Sequence, residues 1–254
     1  MRSLVTGATA GLGAEFARQL AARGSDLVLV ARDETRLGSM AAALRSDHGG
    51  EVEVLRADLA EETDLTAVAA RLAESGSPVD VLVNNAGFGL HAKLANPDLH
   101  LQRRAMNVMC WAVLVLSGSA AAAMRERGQG RIINVSSLAS WTTSGNYSAI
   151  KAWVRSYSQG LANELHDTGV TVTAACPGWV RTEFHQRAGI RTSAIPDWAW
   201  ADPQPVVRRI LRDAERGKVV TIPATRWRIA QAALKLAPQS GVRAVSRMLV
   251  SSRD

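Results

Sequence analysis

Short runs of Val, Leu and Ile alternate along the chain with stretches whose apolar residues recur every three or four positions. The runs predict strands at Ser3–Val5, Leu27–Val30, Val52–Leu55, Val79–Val83, Ile132–Val135, Val170–Ala175 and Val219–Ile222. Several are apolar without alternation, the pattern of strands covered on both faces. Between them, Leu12–Arg23 places Phe16 and Leu20 four apart and stops at Gly24. Leu65–Ala73 repeats Leu65, Val68 and Leu72, and Ala149–Leu165 runs without proline. This alternation predicts an α/β fold, a doubly wound parallel sheet of about seven strands with helices on both faces. No repeat or low-complexity linker interrupts it, so residues 1–254 are expected to form one domain. Two regions depart from the pattern. Residues 184–205 hold Gly189, Pro196, Pro203, Pro205, Trp198 and Trp200, an irregular composition that predicts a lid over a binding site. After Pro223 the chain is amphipathic but broken by Pro238 and Gly241.

Composition narrows the picture only slightly. Of 254 residues, 47% are hydrophobic and 21% charged, which excludes a disordered or fibrous chain. No apolar run reaches the ~18–20 residues needed to span a bilayer. The strand pattern begins directly after Met1 and Arg2, so no leader peptide is expected. Cys110 and Cys176 cannot build a disulfide framework, and no Cys/His cluster has ligand spacing, so no metal and a reducing, cytoplasmic setting are expected. The net charge of +7 is concentrated in residues 226–254, which carry +5 of it. With no basic-aromatic stripe and no helix-turn-helix signal, nucleic acid is not expected as a partner. In segment 226–254, Trp227, Ile229, Leu234, Leu236, Val242, Val245, Met248 and Leu249 mix with five arginines and one lysine. Packing on the body or at a subunit interface is the first reading of this segment. Peripheral contact with an anionic membrane surface or an acidic partner are the alternatives.

The chemistry begins at Thr6-Gly7-Ala8-Thr9-Ala10-Gly11-Leu12-Gly13, which directly follows the first strand and opens the first helix. Gly7 permits a tight turn, Gly11 lets backbone approach a pyrophosphate, and Gly13 lets the helix pack on the strand. The helix N-terminus then faces the anion. At the end of the second strand, Ala31-Arg32 offers a small residue followed by a cation suited to a 2′-phosphate, so NADP(H) is preferred. The competing reading, NAD(H), has Asp33 take the ribose and leaves Arg32 as a solvated charge; Asp33 could also cap the following helix.

Tyr147-Ser148-Ala149-Ile150-Lys151 opens a predicted helix, with Tyr147 and Lys151 four apart on one face. A phenol of pKa ~10 is a poor acid or base at neutral pH unless a nearby ammonium favours the phenolate. Ser136 and Ser137 end the fifth strand, at the sheet edge where open α/β sheets bind ligands, and could hydrogen-bond a carbonyl oxygen.

Together these segments resemble the short-chain dehydrogenase/reductase family, from the first strand to about Thr182. The resemblance rests on T-G-x-x-x-G-x-G, Asp58-Leu59, Asn84-Asn85-Ala86-Gly87, Asn107, Y-x-x-x-K, and Pro177-Gly178 with Val180 and Thr182. It implies a Rossmann-like fold and hydride transfer between a nicotinamide and a carbonyl or secondary alcohol. It implies Tyr147 as acid/base, Lys151 on the nicotinamide ribose, Ser137 (rather than Ser136) on the substrate oxygen, and Asn107 holding a water that links Lys151 to solvent. For the cofactor it implies Gly7, Thr9, Gly11, Leu12 and Gly13 at the pyrophosphate, and Asp58 and Leu59 at the adenine. Asn84, Ala86 and Gly87 would lie beside the ribose, and Pro177, Gly178, Val180 and Thr182 at the carboxamide. A homodimer or homotetramer pairing through the Y-x-x-x-K helix is implied as well. The sequence departs from the family pattern between Ser137 and Tyr147, where the spacing is a few residues shorter and the usual proline is missing.

Trp141, Trp179, Trp198 and Trp200 fall in segments expected to line or cover the substrate pocket, with Trp141 and Trp179 as substrate contacts beside Ser137 and Tyr147. Aromatic walls favour a small molecule with an apolar body: an acyl chain, a steroid-like or terpenoid ketone, or an aromatic ketone. An epimerase or dehydratase using the same Tyr/Lys pair, and a cofactor-sensing binding protein without turnover, are the competing function classes. Cys176 beside Pro177 reads as a buried structural thiol.

Overall fold

The computed structural model describes residues 1–90, 92–184, 195–238, 240–244 and 246. The expected lid at 184–205 is therefore described only at its ends. Within the basic segment, Val245, Arg247, Met248, Leu249 and Arg253 lie outside the described residues.

Among the described residues, seven strands form one parallel sheet: β1 (Arg2–Thr6), β2 (Asp26–Ala31), β3 (Val52–Arg56), β4 (Val81–Asn84), β5 (Gly130–Val135), β6 (Val170–Ala175) and β7 (Val220–Thr221). Their order is β3-β2-β1-β4-β5-β6-β7. The order reverses between β1 and β4, the Rossmann-like switch point outside which ligands bind.

The unbroken apolar runs are explained by two cores, one on each face. Val5, Leu29, Val83, Ile133 and Ala175 face α1 (Gly11–Ala21), α2 (Glu34–His48) and a later helix, Pro203–Glu215. Their neighbours Leu4, Val28, Leu82, Ile132 and Val172 face α3 (Glu62–Ala73), α5 (Ala112–Glu126) and α6 (Asn146–Glu164). Successive strand residues point to opposite faces, so both must be apolar when both faces are covered.

Polar side chains also enter this interior. Asn84 Nδ2 donates to Asn134 Oδ1 at 2.9 Å and to Ser117 Oγ at 3.0 Å, and Asn134 Nδ2 donates to Ser158 Oγ at 3.0 Å. The chain of bonds joins β4, β5, α5 and α6, which fixes α6 against the sheet.

A helical stretch from His100 to Glu126 is long and apolar enough by composition to cross a membrane, although no single apolar run in the sequence is. It consists of α4 (His100–Met106), one π-helical turn at Asn107–Trp111, and α5. Leu116, Ala120 and Met124 of α5 lie in the core against α3 and the sheet, so this stretch packs as a core helix.

Candidate active site

The loops leaving the carboxyl ends of β1, β4, β5 and β6 stand side by side, because those strands are neighbours in the sheet. At β1, Gly7 adopts φ +65°, a conformation that favours glycine. A Cβ at Gly13 would stand 2.1 Å from the Gly7 carbonyl oxygen, so α1 seats on the loop only without a side chain there. A Cβ at Gly11 would meet Thr182 at 3.2 Å, which brings the 177–182 segment against the same loop.

The β4 loop is fastened to this cradle by two residues outside the expected set. Thr6 Oγ1 accepts from the backbone of Asn85 (2.9 Å) and Ala86 (3.0 Å), and Asn85 Nδ2 donates to the Thr6 carbonyl at 3.0 Å. Both lie within the quoted motifs, but nothing in their spacing distinguished a fastening role. Asn84, expected beside the cofactor, is the last residue of a central strand and 4% exposed, and its side-chain amide enters the interior network.

The cradle fits a dinucleotide. Ala10 offers no side-chain hydrogen bond to the first N–H groups of α1, and no acidic residue stands in its first turn, leaving those groups available to an anion. Thr9, Gly11 and Leu12 are partly exposed around it, as an open cradle requires. At the end of β2, Arg32 is exposed and makes no hydrogen bond or ion pair among the described residues. Asp33 instead caps α2, accepting from Arg36 N at 3.0 Å and pairing with Arg36 Nε at 3.6 Å. Asp58 has both oxygens engaged, with Ala60 N at 3.0 Å and Arg104 Nη2 at 2.6 Å. Burial pushes its carboxyl up, but these bonds and the Arg104 and Arg32 charges hold it below its ordinary value. Leu59 is buried in the core beside it.

On the other side of β4, α6 carries the Tyr–Lys pair. Lys151 is 5% exposed, its Nζ donates to the Val135 carbonyl at 2.8 Å, and the same Nζ lies 5.7 Å from the Tyr147 ring centroid. Burial lowers its pKa from 10.5 to about 8, against the opposing influence of Cys110 and Cys176. Both thiols are themselves pushed up to about 11 by burial, consistent with inert, protonated cysteines.

The two serines ending β5 separate clearly. Ser136 is 2% exposed and donates to the Lys151 carbonyl at 2.7 Å, tying α6 to the sheet. Ser137 is half-buried and caps a single 3₁₀ turn, Leu138–Trp141, by accepting from Ala139 N at 3.1 Å.

Asn107 opens the π turn, its carbonyl accepting from Ala112 N. Sequence periodicity gave no sign of this turn, a distortion often found at functional sites. Met109 of the turn packs with Ile150 of α6, and Tyr147, Ala86 and Phe88 lie against that cluster. Gly87 also faces the turn, since a Cβ there would stand 3.0 Å from Met109 Sδ. Asn107 and Tyr147 therefore border one packed region.

The aromatic residues divide. Phe184, the first residue of the expected lid, lies 6.1 Å from Tyr147, centroid to centroid, with the rings tilted by 54°. Trp179 and Trp200 meet edge to face at 5.8 Å, and a parallel bridge from Val180 to Ala201 ties the two segments together. Trp198 is 66% exposed. Trp141, expected on the substrate wall, has a ring face covered by Arg155, whose Cζ lies 4.4 Å from the centroid. Pro177 is buried, and Gly178 is covered by Trp227 of the helix Thr225–Leu236, whose indole would clash with any side chain there. That helix turns Ile229 and Leu236 outward.

Residues 2–191 match the family model for short chain dehydrogenase. A short-chain dehydrogenase from Sphingobium yanoikuyae, solved in complex with NADPH, is 35% identical, with a TM-score of 0.84 over 94% of this chain and 97% of that one. The bulky-bulky ketone specific alcohol dehydrogenase from Comamonas testosteroni is 32% identical, with a TM-score of 0.79 over 94% and 95% of the two chains. The ketoacyl reductase HetN from Nostoc sp. is 31% identical over 82% of this chain and 73% of its own.

Proposed function

The chain belongs to the short-chain dehydrogenase/reductase family of oxidoreductases, and we propose that it is an NADP(H)-dependent enzyme acting on a bulky, apolar ketone or the corresponding secondary alcohol. The observation that carries this reading is the buried Lys151 ammonium 5.7 Å from the Tyr147 ring, at the carboxyl edge of the sheet.

In this reading Gly7, Thr9, Gly11, Leu12 and Gly13 hold the pyrophosphate, and Arg32 takes the 2′-phosphate, since Asp33 is occupied as a helix cap. Asp58 and Leu59 border the adenine; Ala86 and Gly87 border the ribose. Pro177, Gly178, Val180 and Thr182 frame the carboxamide. The bound dinucleotide supplies or accepts the hydride.

Tyr147 donates its phenolic proton to the substrate oxygen in reduction and withdraws it in oxidation. Lys151 stabilises the phenolate by its charge, which at neutral pH it keeps even though burial lowers its pKa to about 8. Ser137 donates a second hydrogen bond to the same substrate oxygen, with Ser136 left structural. Asn107, at the widened turn, holds a water through which Lys151 is resupplied with protons.

Phe184, Trp179 and Trp200 give the substrate side an apolar lining, consistent with similarity to an alcohol dehydrogenase described as bulky-bulky ketone specific. Copies pair through α5 and α6, where Leu114 of α5 is 38% exposed and its carbonyl accepts from the Tyr157 hydroxyl at 3.4 Å, next to the stacked Trp153; Trp111, the last residue of the π turn before α5, is 54% exposed.

Fluorescence titration with NADPH and NADH, followed by a screen of bulky ketones, tests the proposal. Tighter binding of NADPH and NADPH consumption with such a ketone support it. Tighter NADH binding returns the ribose to Asp33, and binding of neither overturns the enzyme reading.

A further inference from the structure

The 3₁₀ turn Leu138–Trp141 carries Ser137 at its N-terminus and is only four residues long, too short to hold its shape unaided. Its start is pinned by Leu138 N, which donates to the Pro177 carbonyl at 2.8 Å. Its end is pinned from α6. Arg155 lies over the Trp141 ring at 4.4 Å, and its Nη2 donates to the Ser140 carbonyl at 3.4 Å. Nearer the start of α6, Ser148 Oγ lies 3.0 Å from Thr142 Oγ1 and accepts from Ser144 N at 3.3 Å.

Tyr147, Lys151 and Arg155 stand four residues apart in succession on α6, so one side of this helix carries all three. We propose that Arg155 is a positioning residue: by clamping Trp141 and Ser140 it fixes the turn, and through the turn the distance between the Ser137 hydroxyl and Tyr147. The short spacing between Ser137 and Tyr147 makes such a clamp necessary, because the intervening segment forms no long element of its own. Guanidinium suits the task, since its flat face stacks on the indole while an edge N–H reaches the carbonyl. Arg155 is assigned no contact with substrate or dinucleotide and acts through the turn. Its effect falls on the chemical step, where a displacement of ~1 Å can cost about a hundredfold.

The inference rests on Ser137 acting at the substrate oxygen, and Ser137→Ala separates the two claims. If S137A keeps full kcat while Tyr147→Phe loses it, the reading of Ser137 fails. If S137A loses kcat but Arg155→Met does not, the clamp alone is refuted.

For R155M in the full-length protein, kcat is expected to fall about 10- to 100-fold with the Kd for NADPH unchanged. Trp141→Leu is expected to match it, and the double variant to be no worse than either single one. Arg155→Lys, which keeps a cation over the ring, is expected to recover part of the loss. Should R155M fail to fold, W141L and R155K decide the matter by the same comparison. The proposal is overturned if kcat stays within twofold of the parent, if the two single losses multiply, or if NADPH affinity falls in parallel with kcat. A shifted pH profile would also contradict it, by showing that Arg155 acts through the Lys151 charge.

Discussion

Around Gly7 and Gly13 the chain is held by backbone hydrogen bonds and by approaches too close for any side chain. Around Trp141, Trp179 and Trp200 it is held by edge-to-face ring contacts and guanidinium groups lying over rings. The first construction tolerates almost no change, because a 2.1 Å approach between Gly13 and the Gly7 carbonyl leaves no room to relax. The second can be altered in steps, because each ring contact contributes a modest amount and a smaller side chain can still occupy its place. In the proposed reading the steric cradle serves the dinucleotide and the adjustable aromatic contacts serve the substrate.

The sharpest way to break the comparison is Gly13→Val. The added side chain must displace α1 or the Gly7 turn, so dinucleotide binding should be lost and stability reduced by about 1–3 kcal/mol. Calorimetry and cofactor titration of the variant would check both; near-parental binding would refute the steric account of the cradle.

Arg32→Ala should weaken NADPH binding about 10- to 100-fold while leaving NADH almost unaffected, as expected from losing a charge-assisted hydrogen bond. Parallel titrations with the two dinucleotides measure the ratio, and an unchanged ratio would remove Arg32 from the site.

On the substrate side the effect should be graded. Trp200→Leu removes the edge contact with Trp179. It should raise KM for a bulky ketone about 3- to 10-fold with NADPH affinity intact. A simultaneous loss of NADPH affinity in that titration would show that the two ends are not separable.

The smallest effect concerns stability. Lys151 binds its proton less tightly folded, at about 8, than unfolded, at 10.5, so its buried charge weakens the ligand-free protein at neutral pH. Its contribution to stability therefore increases as pH rises through about 8. From about 9 upward Cys110 and Cys176 oppose that gain, because folding raises their pKa values from 9.0 to about 11. Lys151→Met should be more resistant to urea than the parent at pH ~7 and should lack the rise between pH ~8 and ~9. Equal slopes in the two proteins would mean that the ammonium is not a burden.

These regions also differ in how far they could be read from sequence. Glycines at steric contacts and a strand-to-helix junction leave a direct trace, and both cores follow from apolar runs on doubly covered strands. Lys151 beside Tyr147 follows from helical spacing. The interior bonds of Asn84 could not be read, because a polar residue at a strand end can face a ligand or an interior partner, and Asn134 and Ser117 are distant in sequence. The π turn at Asn107 leaves no periodic signal in five residues. Phe184 beside Tyr147 and Arg155 over Trp141 are contacts between distant or irregular segments, and pattern along one segment does not encode them.

The measurement that bears most directly on the account is ketone-dependent NADPH consumption by the parent and by Tyr147→Phe, with NADPH affinity determined for both. The account predicts equal affinity and a fall in kcat of about 10²- to 10⁴-fold in the variant, the size of a lost acid/base group. Turnover by Y147F at the parental rate would contradict it.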